Sequence, residues 1–346
     1  MKFGILGSGS WGTAIAKILT DNGNTIHWWN RNEDAIISFY KNKHNPQYLT
    51  GARFDTNKVI LTTDIEKVIN ESEVIIIAIP SAYAGDVLSA LPKNIFDNKK
   101  ILSAVKGILP AENDLLNHFL EKNFSFNINN YFALLGPCHA EEVAAEKLSY
   151  LTFTGLDKSA TENIATYFKT HYLNTVTNTD IYGVQYAAIL KNIYAVAAGI
   201  AHGLDYGDNF LSVLIANSAD EMAGFLRKAG IVNAEVGYME HGENKGSQTE
   251  HVNYAASVYL GDLLVTCYSL FSRNRTFGNM VGKGYSVKNA QLEMRMVAEG
   301  YNAAKCMFLL NETVKADMPI AETVYKILWK AKNPKTGFKN IEQELI

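Results

Sequence analysis

The chain has 346 residues, 47% of them hydrophobic and 19% charged, with only 7 prolines, which excludes a disordered, collagenous or low-complexity polypeptide. With 32 basic against 35 acidic side chains the formal charge is −3, which argues against a broadly basic nucleic-acid binder. The length suits about two domains, large enough to fold without metal or disulfide staples. No apolar run approaches the roughly 20 residues of a membrane span, and the opening residues lack a secretory pattern. The 3 cysteines, Cys138, Cys267 and Cys306, show no metal-ligand spacing and are read as reduced thiols of a cytoplasmic protein.

In chain order, strand-like apolar runs are expected at residues 3–6, 25–29, 74–79, 101–105 and 131–135. Helix-compatible stretches lie between several of them, as at 11–21 and 82–91. Strands alternating with helices predict a parallel sheet covered on both faces. The unbroken run at 74–79 suits a central strand buried on both sides. Beyond about residue 178 the texture becomes helical, with expected helices at 182–203, 212–229, 290–310 and 320–329. The expected fold is an α/β N-terminal Rossmann-like doubly wound sheet over residues 1–180, followed by an all-α domain over 181–346. A polar, turn-rich stretch at 238–253 reads as an exposed loop, and the tail from Asn333 as loosely held.

Gly7-Ser8-Gly9-Ser10-Trp11-Gly12 fits G-x-G-x-x-G, directly after the first strand and opening the first helix. In that setting Gly7 permits the tight turn, Gly9 lets backbone amides approach a pyrophosphate, and Gly12 lets the helix pack closely on the sheet. An acid at the end of the second strand would bond the adenosine ribose and repel a 2′-phosphate. Here the strand ends in Asn30-Arg31-Asn32, and Arg31 suits a 2′-phosphate as a charge-assisted fork. NADP(H) or NAD(H) is therefore the expected cofactor, with NADPH slightly favoured. Lys106 follows a strand, at the carboxyl end where such sheets place ligands. Lys191 interrupts the apolar stretch from Ala187 to Ile193, which is costly unless it has a partner or a role. A lysine held near other cations and apolar walls is suited to proton transfer at neutral pH. Ser272-Arg273-Asn274 combines a hydroxyl, a forked cation and an amide donor, the chemistry that grips anionic oxygens, and Arg275 adds positive charge.

Several segments together make the chain recognisable: GSGSWGTAIA at 7–16, NPQYL at 45–49, VKG at 105–107, GPCHAEEVA at 136–144, LKNIYAVAAGIAHGLDYGDN at 190–209, GDLLVTCYSLFSRNRTFG at 261–278 and VAEG at 297–300. In this order they resemble bacterial NAD(P)-dependent glycerol-3-phosphate dehydrogenases over nearly the whole chain. The resemblance implies reversible reduction of dihydroxyacetone phosphate to sn-glycerol 3-phosphate, supplying phospholipid synthesis. It implies Lys191 as the proton carrier, with Lys106 and Asp262 as further catalytic groups. It implies substrate contacts from Lys106, Gly136, Cys138, Lys191, Asp262, Ser272, Arg273 and Asn274. Cofactor contacts are implied at Gly7, Gly9, Ser10, Trp11, Gly12, Arg31, Lys106, Ala140, Arg273, Val297 and Glu299, and no metal.

The chain departs from the family in having Cys138 where serine or threonine is usual, and in a longer span between Lys191 and Asp262, around residues 231–257. Besides a small phosphorylated substrate, a homodimer through the helical half is compatible with the sequence; nucleic acid and a membrane span are not expected. Two other readings stay open. One is a reductase of another small 2-oxo or 2-hydroxy acid on the same plan. The other is a non-catalytic NADPH-binding redox sensor, hinted at by Cys138.

Overall fold

The computed structural model describes residues 1–231, 257–294 and 298–345. The chain divides into two compact units, Met1–Ile181 and Tyr182–Ile346.

The first unit is built on an eight-stranded sheet of order β3-β2-β1-β4-β5-β6-β7-β8. Its strands are β1 (Phe3–Leu6), β2 (Ile26–Trp29), β3 (Val59–Thr62), β4 (Val74–Ile77), β5 (Lys100–Ser103), β6 (Tyr131–Leu135), β7 (Ser149–Gly155) and β8 (Leu173–Asn178). The first six run parallel; β7 is antiparallel to β6, and β8 parallel to β7. The helices are α1 (Ser10–Asp21), α2 (Glu33–Asn42), α3 (Ile65–Asn70), α4 (Ser81–Ser89), α5 (Leu116–Phe124), α6 (Ala140–Ala144) and α7 (Lys158–Thr166). The strand order reverses between β1 and β4, the crevice where open α/β sheets take ligands. Every residue of β1, β4 and β6 is buried, as two-sided coverage of a parallel sheet requires.

Three strands went unseen in the sequence. β3 is half-exposed at the sheet edge. β7 and β8 are interrupted by Ser, Thr and Asn, residues whose side chains mask a short strand signal. β8 lies at the other edge with mostly half-exposed positions, and it is paired with β7 along its length.

The second unit is helical throughout its described residues. It comprises α8 (Ile181–Gly203), α9 (Asp208–Lys228), a π-helical turn (Ser257–Gly261) running into α10 (Asp262–Tyr268), α11 (Arg273–Gly282), α12 (Val287–Glu293), α13 (Glu299–Val314), α14 (Pro319–Trp329) and α15 (Pro334–Glu344). Helix α8 is long and apolar enough to cross a membrane, but 94% of its apolar window is buried, so it serves as a core helix. Helices α8 and α11 touch through their backbones: a Cβ on Gly199 would strike the Arg275 carbonyl, and one on Gly278 the Val196 carbonyl.

Two expectations are corrected here. The single helix expected at 290–310 is two, because Met294 turns extended after α12 and α13 starts afresh at Glu299. The tail from Asn333 is not loose: Asn333 caps α15 by accepting from Thr336 N, and Phe338 and Ile341 are buried. The polar loop at 238–253 lies outside the described residues.

Candidate active site: a nucleotide cradle and a buried lysine–aspartate pair

In the first unit the glycine loop joins β1 to α1. Gly7 has φ +120°, and a Cβ there would lie 2.6 Å from the Ala78 carbonyl oxygen just past β4. Only glycine suits both demands. A Cβ on Gly12 would strike the Gly7 carbonyl, whereas Gly9 faces open space. Gly9 is also the N-cap of α1, so no side chain caps that helix, and its first turn carries no acid. Open space beside Gly9 at the positive end of a 12-residue helix suits a pyrophosphate. The Nε1 of Trp11 is buried and meets no acceptor among the described residues, an unmet donor in the same loop. The residues present thus fit a dinucleotide.

The loop is held by residues that sequence reasoning did not assign. Trp28 Nε1 on β2 donates to the Gly7 carbonyl at 2.9 Å. Asn45, only 4% exposed, donates through Nδ2 to the Ser8 carbonyl at 2.9 Å and to Thr13 Oγ1 at 2.8 Å. Thr13 in turn donates to the Gly9 carbonyl. The only trace of this in the sequence was the NPQYL segment.

Ser10 opens α1, and the Lys106 ammonium lies 4.4 Å from the centre of the Trp11 ring, a cation–π contact. Lys106 stands past the carboxyl end of β5, two strands from β1. Gly136 ends β6 with φ +125°, and the turn it makes leads to Ala140 at the start of α6. Cys138 is buried within the apolar core cluster of this unit together with Ala140. A sensing thiol needs exposure, so this placement removes the hint of redox sensing. Arg31 is exposed just past β2, beside Asn30, whose Oδ1 accepts from Asn32 N.

In the second unit Lys191, on α8, forms an ion pair with Asp262 Oδ1, at the head of α10. Both are buried, at 3% and 1% exposure. The lysine's immediate partner is a carboxylate, Asp262. Gly261 is already helical and Asp262 follows directly on the π-helical turn. Thr266 donates to the Asp262 carbonyl at 2.5 Å, steadying the segment. The other carboxylate oxygen, Asp262 Oδ2, is buried and meets no hydrogen-bond donor among the described residues. Burying such an oxygen costs free energy unless a donor meets it, so it points to a ligand hydroxyl.

The pair is bordered by Cys267, whose thiol burial pushes up to about 12, partly offset by the charges of Lys191 and Arg275. Ser272 Oγ caps α11 by accepting from Arg275 N at 3.3 Å, and Arg273 stands exposed at the first position of that helix. Its first turn holds no acid, so helix and guanidinium offer positive potential to an anion. Asn274 turns inward: its Nδ2 donates to Asn192 Oδ1 at 2.8 Å, and its Oδ1 accepts from Gly300 N at 2.9 Å. Glu299 opens α13 beside Gly300. Val297 lies outside the described residues, as does most of the 231–257 insertion.

Comparison with known proteins covers both units. The profile of the NAD-dependent glycerol-3-phosphate dehydrogenase N-terminus matches residues 2–161, and that of the C-terminus residues 180–339. The glycerol-3-phosphate dehydrogenase [NAD(P)+] of Bacillus subtilis (strain 168) is 32% identical over 341 residues, spanning 98% of this chain and 93% of that protein. Its counterpart from Bacillus cytotoxicus is 32% identical over 335 residues, 96% of this chain and 93% of that one. The crystal structure of glycerol-3-phosphate dehydrogenase from Coxiella burnetii superposes with a TM-score of 0.85 at 25% identity, covering 98% of each chain.

Proposed function

Because the chain belongs to the NAD-dependent glycerol-3-phosphate dehydrogenase family, we propose that it interconverts dihydroxyacetone phosphate and sn-glycerol 3-phosphate with NAD(H) or NADP(H). The observation that carries the chemistry is the buried Lys191–Asp262 pair with one carboxylate oxygen left over.

The cofactor, when bound, supplies the hydride that ends on C2 of the ketone. The residues to hold it are the amides of Gly9, Ser10 and Trp11 around the pyrophosphate, with Gly7 and Gly12 shaping the turn. Lys106, Ala140 and Glu299 are expected nearer its reacting end. As the ketone oxygen gains electron density, the Lys191 ammonium stabilises it and delivers the proton. Asp262 Oδ1 keeps that ammonium oriented, and Oδ2 accepts from the adjacent hydroxyl of the substrate. Arg273 and the first amides of α11 grip the phosphate, with Ser272 fixing the turn. In the reverse direction Lys191 takes the proton from the C2 hydroxyl. Three buried cysteines, none of them in a disulfide among the described residues, support a reducing, cytoplasmic setting.

The test is NADPH or NADH consumption with dihydroxyacetone phosphate, against a panel of small 2-oxo acids. Turnover is expected with the phosphorylated ketone alone, and Lys191→Ala should lose about a hundredfold or more in kcat. Robust turnover by that variant would remove Lys191 as proton donor. We further assign Arg31 to the 2′-phosphate, which supports NADPH over NADH. Arg31→Ala should lower kcat/KM for NADPH about tenfold relative to NADH; an unchanged ratio would dismiss the assignment.

A further inference from the structure

Besides Lys191, the described residues bury one further lysine. Lys17, on α1, is only 5% exposed, and its ammonium meets Asp21 Oδ2 at 2.7 Å and Glu146 Oε1 at 2.9 Å. Asp21 lies one turn further along α1, whereas Glu146 comes from just beyond α6. That glutamate has φ +54°, and the amide after it closes the turn on the Glu142 carbonyl at 2.9 Å, an arrangement in which helix ends usually place glycine. Backbone geometry disfavours a side chain there. The hold of its carboxylate on the buried ammonium accounts for it.

We propose that Lys17 and Glu146 form a clasp that sets the position of α6 along α1, and with it the separation between Ala140 at the head of α6 and the glycine loop at the head of α1. Its effect rests on the function proposed above, in which a dinucleotide occupies the first turn of α1 with Ala140 near its reacting end. Strands β1 and β6 run parallel, so α1 and the turn into α6 leave the sheet at the same edge, the one that bears the ligand crevice. Lys17 lies seven residues past Ser10, and Glu146 six past Ala140. At 1.5 Å per residue the clasp therefore sits about 10 Å behind both heads.

Helix α6 has only 5 residues, too few to keep its place by its own hydrogen bonds. It packs on α1, with Val143 buried in the apolar cluster, but apolar contacts are non-directional and leave it free to slide. An ion pair of set length fixes the slide. Both carboxylates are steadied from the residues leading into β8: the Tyr172 hydroxyl donates to Asp21 Oδ2 at 2.7 Å, and His171 Nε2 lies 3.4 Å from Glu146 Oε2. The hydrogen bond and charge of Lys17 hold the Glu146 carboxyl below the usual carboxylate range, so the clasp is ionised at neutral pH.

The experiment compares the native full-length enzyme with Lys17→Met, Glu146→Gly, both together, and Glu146→Gln. It reads the Kd of NADPH by calorimetric titration, KM for dihydroxyacetone phosphate at saturating NADPH, and melting temperature. Lys17→Met and Glu146→Gly are each expected to weaken NADPH binding about tenfold, and the double variant to do no more than either, since both remove one contact. KM should hold. Glycine suits the backbone at 146, so Glu146→Gly should melt near the native temperature while binding NADPH poorly, which a merely structural role would not produce. Glu146→Gln keeps an oxygen for Lys17 to donate to and should recover most of the lost affinity.

A native Kd in Glu146→Gly overturns the clasp, as do effects that multiply in the double variant or a glutamine variant no better than glycine. A fall in melting temperature that accompanies every loss of affinity marks a general loosening of the fold and refutes it equally. Should Lys17→Met not fold, the glycine and glutamine variants decide by the same outcomes. A native enzyme that binds neither NADPH nor NADH refutes the proposed function itself; native binding that no variant alters refutes the clasp alone.

Discussion

Lys191 and Asp262 are charges taken out of water, and each is tolerable only because the other is there. Removing one partner leaves an uncompensated buried charge, so Lys191→Ala should cost about 3–5 kcal/mol of stability in addition to activity. Lys191→Ala combined with Asp262→Ala should recover most of that stability and none of the turnover. Urea midpoints alongside NADPH consumption check both halves; a single variant as stable as the native enzyme would contradict the burial argument. Cys267, held neutral by its burial, does not compete with Lys191 for the proton at neutral pH. The sequence made Lys191 conspicuous, since a lysine amid Ala, Ile and Leu has to be explained. Its partner, 71 positions on, came only from the resemblance, because no local pattern links two helices so far apart.

Segments show where local signals suffice and where packing overrides them. The glycine loop is legible because each glycine answers a backbone demand, yet what holds it, Asn45 and Trp28, is remote in sequence. Asn45→Ala should raise cofactor Kd about tenfold through loss of buried hydrogen bonds, with kcat at saturating cofactor nearly native. Calorimetric titration with NADPH measures it, and a native Kd would show that the loop holds its own shape. The break between α12 and α13 has no proline to announce it. It is sustained by Asn274, whose Oδ1 captures the Gly300 amide in the first turn of α13, a cap supplied from another helix.

A second such cap is Glu221 on α9, which accepts from Ile320 N and Ala321 N at the start of α14 and from the Tyr194 hydroxyl. Burial raises its pKa from 4.5 to about 7, partly offset by those backbone donors and Tyr194, with Asp317 adding to the rise. The native state thus keeps a proton that the unfolded chain releases. Stability contributed below pH 4.5 is lost as pH climbs through the window to about 7, by about 3 kcal/mol in all. Glu221→Gln cannot titrate, so melting temperature plotted against pH should lose this decline; an unchanged slope would assign it to other groups.

For the molecule as a whole, the proposed function assigns the cofactor to the first unit and the substrate phosphate to the second. Hydrogen exchange offers a direct readout. NADPH alone should protect amides most strongly between Gly7 and Thr13, and glycerol 3-phosphate those opening α11 around Arg273 to Arg275, since ligand binding suppresses local opening. Strongest protection by NADPH at α11 would reverse the assignment. Read alone, the sequence determined the alternation of buried strands and helices, the glycine turn and the change to helical texture, all set by near-neighbour periodicity and backbone sterics. Tertiary structure decided the strands β3, β7 and β8, the two-helix break, the ordered α15, the inward turn of Asn274 and the unmet oxygen of Asp262. These depend on which distant groups are brought close enough to bury, cap or leave unpaired one another, and that is settled only when the chain is packed.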